Sequence, residues 1–147
     1  MFRRILVATD GSAHSRRAIR FAARLARTCK ASLTIFHAVA HYRAPYVMEG
    51  MAYQWPSEAE YRKSANNQAR KILAQARAIA SKNGVTARIL QAYGDDTSRA
   101  IIAAARRSRA GLIVMASHGR RGIERLLLGS ETQKVLARTK LPVLVVR

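Results

Sequence analysis

The sequence predicts an α/β fold: a single doubly wound sheet of five parallel strands in the order 3-2-1-4-5, with helices on both faces. Short apolar runs alternate with segments of helical periodicity along all 147 residues. Most of these runs are continuously apolar, which is typical of strands buried on both faces of a parallel sheet. No internal repeat or linker interrupts the alternation, so one domain over residues 1–147 is expected.

The first part of the chain contains two predicted strands and one helix. Residues 5–8 form a short apolar strand, and Ser12 is a suitable N-cap for the helix that follows. That helix carries apolar residues at steps of three and four as far as Cys29. Residues 33–39 predict the second strand. Residues 41–56 are irregular and long for a connection, which favours a mobile flap or cover.

The middle of the chain continues the alternation. A helix with an alanine-rich apolar stripe is predicted from Glu58 to a stop at Gly84. Residues 85–92 alternate loosely and predict the third strand. A turn and cap at residues 94–97 lead into a short helix over residues 100–109.

The end of the chain carries a long loop between two strands. Residues 111–115 predict a fourth buried strand, and a glycine-containing loop occupies residues 116–129. Ser130 is predicted to open the last helix, with Gln133 three residues later completing a capping box. Residues 141–146 predict the fifth strand.

The charge of the chain is strongly positive. Lysine and arginine number 27 against 8 aspartate and glutamate residues, which gives a net charge of +19. Such a balance is typical of proteins that contact nucleic acid, anionic lipid or an acidic partner. The basic residues are scattered over three helices without a compact block interleaved with aromatic residues, so a solvated cationic surface is favoured. Binding of an acidic partner or nucleic acid is the alternative.

Cysteine content and hydropathy indicate the cellular compartment of the protein. Cys29 is the single cysteine, so no internal disulfide forms, and we interpret it as a small apolar residue. The apolar run after Met1 is too short for a signal peptide. No stretch approaches the roughly 18 apolar residues of a membrane span. A cytoplasmic location without membrane association is expected.

The predicted topology also indicates where a ligand binds. In open α/β sheets, ligands bind outside the carboxyl ends of the strands where the strand order reverses, here between strands 1 and 4. The loops after those strands are residues 8–10 and 116–130. In the second loop, Gly119 and Gly122 allow backbone amides to close around oxygens, and Arg120 adds positive charge. Since Ser130 opens a helix at the end of this loop, the segment predicts a phosphate cradle.

Several better-known sites are absent. The chain lacks the G-x-x-x-x-G-K-[ST] and G-x-G-x-x-G motifs, which disfavours P-loop ATPases and dinucleotide enzymes. No G-x-S-x-G elbow is present, so a hydrolase triad is not expected. His37 and His118 are not accompanied by other ligands at zinc spacing. Asp10 either accepts hydrogen bonds from ribose hydroxyls or holds a metal ion, or else it caps the following helix.

Four segments resemble the universal stress protein family, and the likeness spans essentially the whole chain. These segments are residues 7–12 (VATDGS), 115–122 (MASHGRRG), 127–130 (LLGS) and 142–147 (PVLVVR). The nucleotide-binding branch of that family carries G-x2-G-x9-G-[ST]. Here the spacing is intact, but Ala116 replaces the first glycine, and its methyl group narrows the space beside the ribose.

The resemblance implies a role for residues on both sides of the crevice. Thr9 and Asp10 would line the ribose side, the backbone of Ala38 would meet the adenine, and Met115 and Ala116 would flank the base and ribose. Gly119, Gly129, Ser130 and Thr132 would hold the phosphates. With the loop residues argued above, the candidate binding residues are Ala8, Thr9, Asp10, Ala38, Met115, Ala116, Gly119, Arg120, Gly122, Gly129, Ser130 and Thr132.

The function that the resemblance implies is a nucleotide-dependent sensor or switch in the stress response. The expected ligand is ATP, with or without a magnesium ion. No dedicated general base or water-positioning residue is evident, so no catalytic residue is assigned, and slow hydrolysis or autophosphorylation is the most that is expected. A homodimer through Val143–Val146 is implied, since an apolar edge strand needs cover. The alternative is a nucleotide-free basic module that contacts acidic partners or nucleic acid.

Overall fold

In the computed structural model of the protein, residues 2–44, 55–118 and 128–147 are described. Their helices and strands alternate along the chain as β1 (Arg4–Ala8), α1 (Ala13–Cys29), β2 (Ser32–Val39), α2 (Glu58–Lys82), β3 (Arg88–Tyr93), α3 (Thr97–Arg107), β4 (Leu112–Ala116), α4 (Ser130–Arg138) and β5 (Val143–Val146).

The five strands form one parallel sheet in the order β3-β2-β1-β4-β5, which confirms the predicted fold and strand order. The central strand β1 pairs with β2 on one side and β4 on the other; Val7, for example, lies opposite Ile35 and Val114. The strand order therefore reverses between β1 and β4, because successive crossovers lead outward in opposite directions from these two strands.

Side chains of the central strand alternate between two cores. Ile5 and Val7 pack with α1 and α2 on one face of the sheet, whereas Leu6 packs with α3 and α4 on the other. Since both faces are covered, every one of these side chains is buried, and the run is continuously apolar. The buried face of α1 is rich in alanine, including Ala18 and Ala22, which lets the helix approach the sheet closely.

Two element boundaries differ from the predicted ones by three residues, each for a local reason. The third strand begins at Arg88 rather than at residue 85, because the Val85 amide still donates to the Ala80 carbonyl and completes the end of α2. Helix α3 begins at Thr97, three residues earlier than predicted. Asp96 is its N-cap, with Oδ1 accepting from the Arg99 amide at 3.2 Å.

The predicted capping box at the start of the last helix is wrong. Gly129 is the N-cap of α4, no side chain caps this end, and Ser130 is the first helical residue. The Gln133 side chain instead donates from Nε2 to the Leu128 carbonyl at 2.7 Å. The Ser12 cap of α1 is confirmed, since its hydroxyl accepts from the Ser15 amide at 3.1 Å.

Two further predictions concern the flap and Cys29, and the structure describes only part of the flap. Residues 45–54 of the predicted flap lie outside the described residues, and Cys29 is half-buried. In the described part of the chain, no helix combines the length and apolar character that crossing a membrane requires.

Candidate functional site

A cavity of about 390 Å³ opens between the carboxyl ends of β1 and β4, where the strand order reverses. This volume is within the usual range for small-molecule sites. Its walls come from the ends of three strands and the starts of three helices. The lining residues are Ala8, Thr9, Asp10, Ser15, Phe36, Ala38, Thr97, Ile101, Met115, Ala116, His118, Gly129, Ser130, Glu131 and Thr132.

The cavity brings together every candidate binding residue that the structure describes. These are Ala8, Thr9, Asp10, Ala38, Met115, Ala116, Gly129, Ser130 and Thr132. The remaining candidates, Gly119, Arg120 and Gly122, lie outside the described residues. The common location of the nine follows from the topology, because the loops after β1 and β4 meet at one edge of the sheet.

Some lining residues were missed by reasoning from the sequence. Thr97 and Ile101 lie one turn apart at the start of α3, and Ser15 lies in the first turn of α1. The starts of the helices share the edge at which the strands end, and this topological signal identifies such residues once the strand order is known. Phe36, His118 and Glu131 complete the set, and Phe36 and Glu131 lie close in sequence to Ala38 and Ser130.

The loop after β1 is held in a fixed turn. The Thr9 hydroxyl lies 3.0 Å from the Ser15 hydroxyl and accepts from the Gly11 amide at 3.2 Å. Asp10 Oδ1 accepts from the Ser12 amide at 2.9 Å, and Gly11 has a φ of 80°, a conformation that favours glycine. The cap of α1 is therefore Ser12, while Asp10 stabilises the preceding turn and lines the cavity.

His37 ties this loop to the neighbouring strand. Its Nδ1 donates to the Thr9 carbonyl at 2.8 Å, and the Thr9 amide donates to the Phe36 carbonyl at 2.9 Å. The ring thus supports the main chain next to Asp10. In the described ranges, no group of three or more histidine, cysteine or acidic residues is arranged to hold a metal ion.

The opposite wall joins the end of β4 to the start of α4. The Thr132 hydroxyl donates to the Ala116 carbonyl at 2.9 Å, and the Gly129 amide donates to the Ser117 carbonyl at 2.7 Å. These contacts hold the first turn of α4 beside the cavity. The amides of a helix's first turn have no partner within the helix, so this end attracts anions.

Two buried polar atoms at the cavity have no hydrogen-bond partner among the described residues, and a bound ligand is one way to satisfy such atoms. They are His118 Nε2 and Glu131 Oε2. On the His118 ring, Nδ1 lies 3.0 Å from the Ser117 hydroxyl, and the ring centroid is 6.1 Å from that of His14. The other oxygen of Glu131 accepts from Lys134 Nζ at 2.8 Å, which partly neutralises the carboxylate at this anion-attracting end.

Asp96 organises the third helix of the cavity wall. The Ser98 hydroxyl, the Arg99 amide and the Arg138 guanidinium all donate to its carboxylate and hold the pKa of Asp96 well below its usual range. Arg138 also donates to the Ser98 hydroxyl oxygen at 2.7 Å. The start of α3 is thereby fixed against α4, and Thr97 faces the cavity between them.

Comparison with known proteins places this chain among relatives of similar length. A family model described as the universal stress protein family matches residues 1–147. The universal stress protein in the QAH/OAS sulfhydrylase 3' region of Thermus aquaticus is 36% identical over 148 residues, covering all of both chains.

Two solved structures show the same architecture. One is described as a universal stress protein in complex with cAMP; it is 28% identical with a TM-score of 0.72, and the match covers 99% of this chain and 97% of that one. Universal stress protein UspA from Lactobacillus plantarum has a TM-score of 0.80 at 23% identity, with 98% and 97% covered. The second likeness concerns the fold alone.

Proposed function

Because this chain belongs to the universal stress protein family, we propose that it binds an adenine nucleotide, ATP, in the cavity between Asp10 and the start of α4. The observation that carries the proposal is the pairing of a carboxylate with a helix N-terminus across one cavity of suitable size. A related structure holding cAMP supports the same class of ligand.

In this proposal the purine lies against the apolar part of the cavity. Phe36, Ile101 and Met115 supply aliphatic and aromatic surface there. The backbone of Ala38 extends beyond the end of the pairing between β1 and β2, so its polar groups are available to the adenine edge. Apolar walls with a few polar groups at fixed positions are the usual means of orienting such a ligand.

The polar end of the nucleotide meets the two loops. Asp10 accepts hydrogen bonds from the ribose hydroxyls, and the first-turn amides of Ser130 and Glu131 donate to phosphate oxygens. The Thr132 hydroxyl already donates to Ala116, so Thr132 positions this turn and contributes at most its own amide. A magnesium ion, where present, would be held by a carboxylate such as Asp10 and would supply positive charge that neutralises the phosphates.

We further propose that occupancy of the cavity acts as a switch in the stress response. A nucleotide bound across the cavity links the loop after β1 to the start of α4, so binding stabilises one arrangement of both.

We also propose that the chain forms a homodimer through β5. Val143–Val146 is an edge strand whose residues are all only half-buried, and its sequence is VLVV. An apolar edge with unpaired backbone groups is stabilised by pairing with a second copy. Sedimentation of the wild type and of Val145→Lys tests this: the variant is expected to be monomeric, and an unchanged mass would contradict the assembly.

Calorimetry tests the nucleotide proposal directly. ATP is titrated into the wild type, Asp10→Asn and Ser130→Pro, with Arg17→Gln as the control on the exposed face of α1. Proline at the first helical position removes an amide donor but is compatible with the helix. Phosphate binding is therefore expected to weaken without loss of the fold. Both site variants are expected to bind about tenfold or more weakly, given the worth of charge-assisted hydrogen bonds.

The outcome that would contradict the proposal is unchanged affinity in both site variants. Mass spectrometry of small molecules released from the purified protein gives an independent readout, with an adenine nucleotide expected. A purified protein with no nucleotide and no measurable ATP affinity, but with salt-dependent retention on DNA, would favour the alternative of a nucleotide-free basic module.

A further inference from the structure

Charge is segregated along the strand direction of this molecule. We define the amino edge as the side of the sheet where the strands begin and the helices end. All of the acidic residues in the described part of the chain lie at the opposite, carboxyl edge, after strands or in the first turns of helices. They are Asp10, Glu58, Glu60, Asp95, Asp96 and Glu131.

The amino edge carries only positive charge among the described residues. Its exposed cations lie at the starts of β1 and β3 and around the ends of all four helices. They are Arg3, Arg4, Arg27, Lys30, Lys82, Arg88, Arg106, Arg107, Arg109 and Lys140. No ion pair joins any of these ten to a carboxylate of the described ranges. No carboxylate of the described residues therefore offsets their mutual repulsion through an ion pair.

Stabilisation of helix ends explains only part of this surface. Cations near helix C-termini interact favourably with the helix dipole, which accounts for Arg27, Lys82 and similar residues. Arg3, Arg4 and Arg88, however, precede or begin strands and cap no helix. They add to the same positive field.

Two helix ends carry a cation where the backbone favours glycine. Lys30 and Arg109 have φ values of 52° and 51°, in the left-handed region, and each lies in the reversal that ends a helix. The corresponding position after α2 is Gly84, with a φ of 77°. Side chains other than glycine are strained there. Both strained positions add a charge to the amino edge.

We propose that the amino edge binds the phosphodiester backbone of duplex nucleic acid without sequence preference. Seven of the ten cations are arginine, whose planar guanidinium fork matches phosphate oxygens. The exposed aromatic side chains of the described part, Phe21 and Trp55, lie elsewhere, on the side of α1 and before α2. Stacking of unpaired bases, which needs aromatic platforms, is therefore not the mode of contact.

The dimensions of the edge agree with this partner. Five strands spaced about 4.8 Å apart span roughly 19 Å. A duplex of that length carries about 11 phosphate charges, since B-DNA has one per about 1.7 Å of axis. The surface also lies roughly 15 Å from the nucleotide cavity, the length of a five-residue strand. Binding at the two edges is thus independent, and this inference does not rest on the proposed nucleotide site.

Fluorescence anisotropy with labelled 20-base-pair DNA and RNA duplexes tests the proposal between 50 and 200 mM KCl. The edge variant Arg3→Gln/Arg88→Gln/Arg107→Gln is compared with Arg17→Gln/Arg20→Gln/Arg70→Gln, which has the same net charge and changes exposed arginines on α1 and α2. The edge variant is expected to bind about tenfold or more weakly, with a salt slope shallower by about 2 to 3. The control is expected to stay within about twofold of the wild type.

A second variant separates binding from folding. Lys30→Gly/Arg109→Gly removes two edge cations at positions where glycine relieves backbone strain. Weaker duplex binding with an unchanged or higher Tm supports the proposal, whereas unchanged binding contradicts it.

Other outcomes would also overturn it. Equal losses of duplex affinity in the edge and control triple variants would show that only the net charge determines binding. Absence of duplex binding at 50 mM KCl would reject the surface outright. Equal or tighter binding to polyglutamate or to phosphatidylserine vesicles at the same salt would assign the edge to an acidic protein or a membrane. Displacement of the duplex by ATP at matched ionic strength would place the contact at the carboxyl edge instead.

Discussion

The Thr132 hydroxyl donates to the carbonyl oxygen of Ala116 at 2.9 Å, which joins the first turn of α4 to the last residue of β4. Thr132 is buried, with 4% of its surface exposed, and both residues line the cavity. Together with the bond from the Gly129 amide to the Ser117 carbonyl, this bond holds the anion-attracting end of α4 against the end of β4.

Loss of that bond is expected to affect stability and binding together. Thr132→Val keeps the volume of the side chain but leaves the Ala116 carbonyl without this donor. Unfolding free energy is expected to fall by about 1 to 2 kcal/mol, the usual cost of an unmade buried hydrogen bond, in urea titrations. ATP affinity should fall as well. Thr132→Ser, which keeps the hydroxyl, is the control, and equal losses in both variants would contradict this role of the bond.

Asp96 is expected to make the fold sensitive to acid. Its pKa is held well below its ordinary value of 3.8, so the ionised form stabilises the native state at neutral pH. That contribution is complete above pH 3.8 and is lost as the pH falls through the lowered pKa. Tm measured from pH 7 to pH 2 should therefore drop less for Asp96→Asn than for the wild type. Parallel profiles for the two proteins would show that other carboxylates dominate.

Gly84 is predicted to be required for its backbone conformation. Its φ is 77°, and a Cβ at this position would meet only the Arg27 side chain, at 3.6 Å from Cδ. Since there is space for the added Cβ, any loss of unfolding free energy in Gly84→Ala comes from the backbone conformation. We expect the unfolding free energy to fall by about 1 to 2 kcal/mol in chemical denaturation. Lys30→Gly, at the equivalent left-handed position, should not be destabilising in 0.5 M KCl, where the helix dipole is screened. Equal losses of unfolding free energy in Gly84→Ala and Lys30→Gly would contradict the proposed role of the backbone conformation.

The strand order and the cavity were predictable from the sequence because they depend on apolar patterning and topology. The run 5–8 is typical of a strand buried on both faces, and the reversal beside it located the cavity between Asp10 and Ser130. Details that depend on one hydrogen bond were less predictable. Gln133 was expected to cap α4, yet its side chain reaches the Leu128 carbonyl, because the chain enters this helix through Gly129.

Contacts between residues that are distant in sequence could not be predicted, for a similar reason. The bonds from Arg138 to Asp96 and from His37 to Thr9 join elements whose relative placement no local pattern contains. The segregation of charge was also hidden. The basic residues are scattered along the chain, and only the antiparallel course of helices and strands gathers ten of them at one edge.

Ala116 is the position where the motif of the nucleotide-binding branch departs from glycine, and the cavity shows what this change affects. Ala116 is half-buried at the end of β4 and is one of the residues that line the cavity; its side chain is a single methyl group. Ala116→Gly removes that group and opens space beside the proposed ribose. We expect ATP to bind a few times more tightly in calorimetry, while the unfolding free energy falls by about 0.5 to 1 kcal/mol, the usual cost of glycine in a strand.

The control for this change is Ala92→Gly, a half-buried strand residue that does not line the cavity. It should lose similar stability without any gain in affinity, because its methyl group contacts no bound nucleotide. Tighter binding in both variants would assign the effect to general loosening of the sheet. Weaker binding in Ala116→Gly alone would show that the methyl group contacts the ligand favourably, and it would place the ribose against β4 rather than against Asp10.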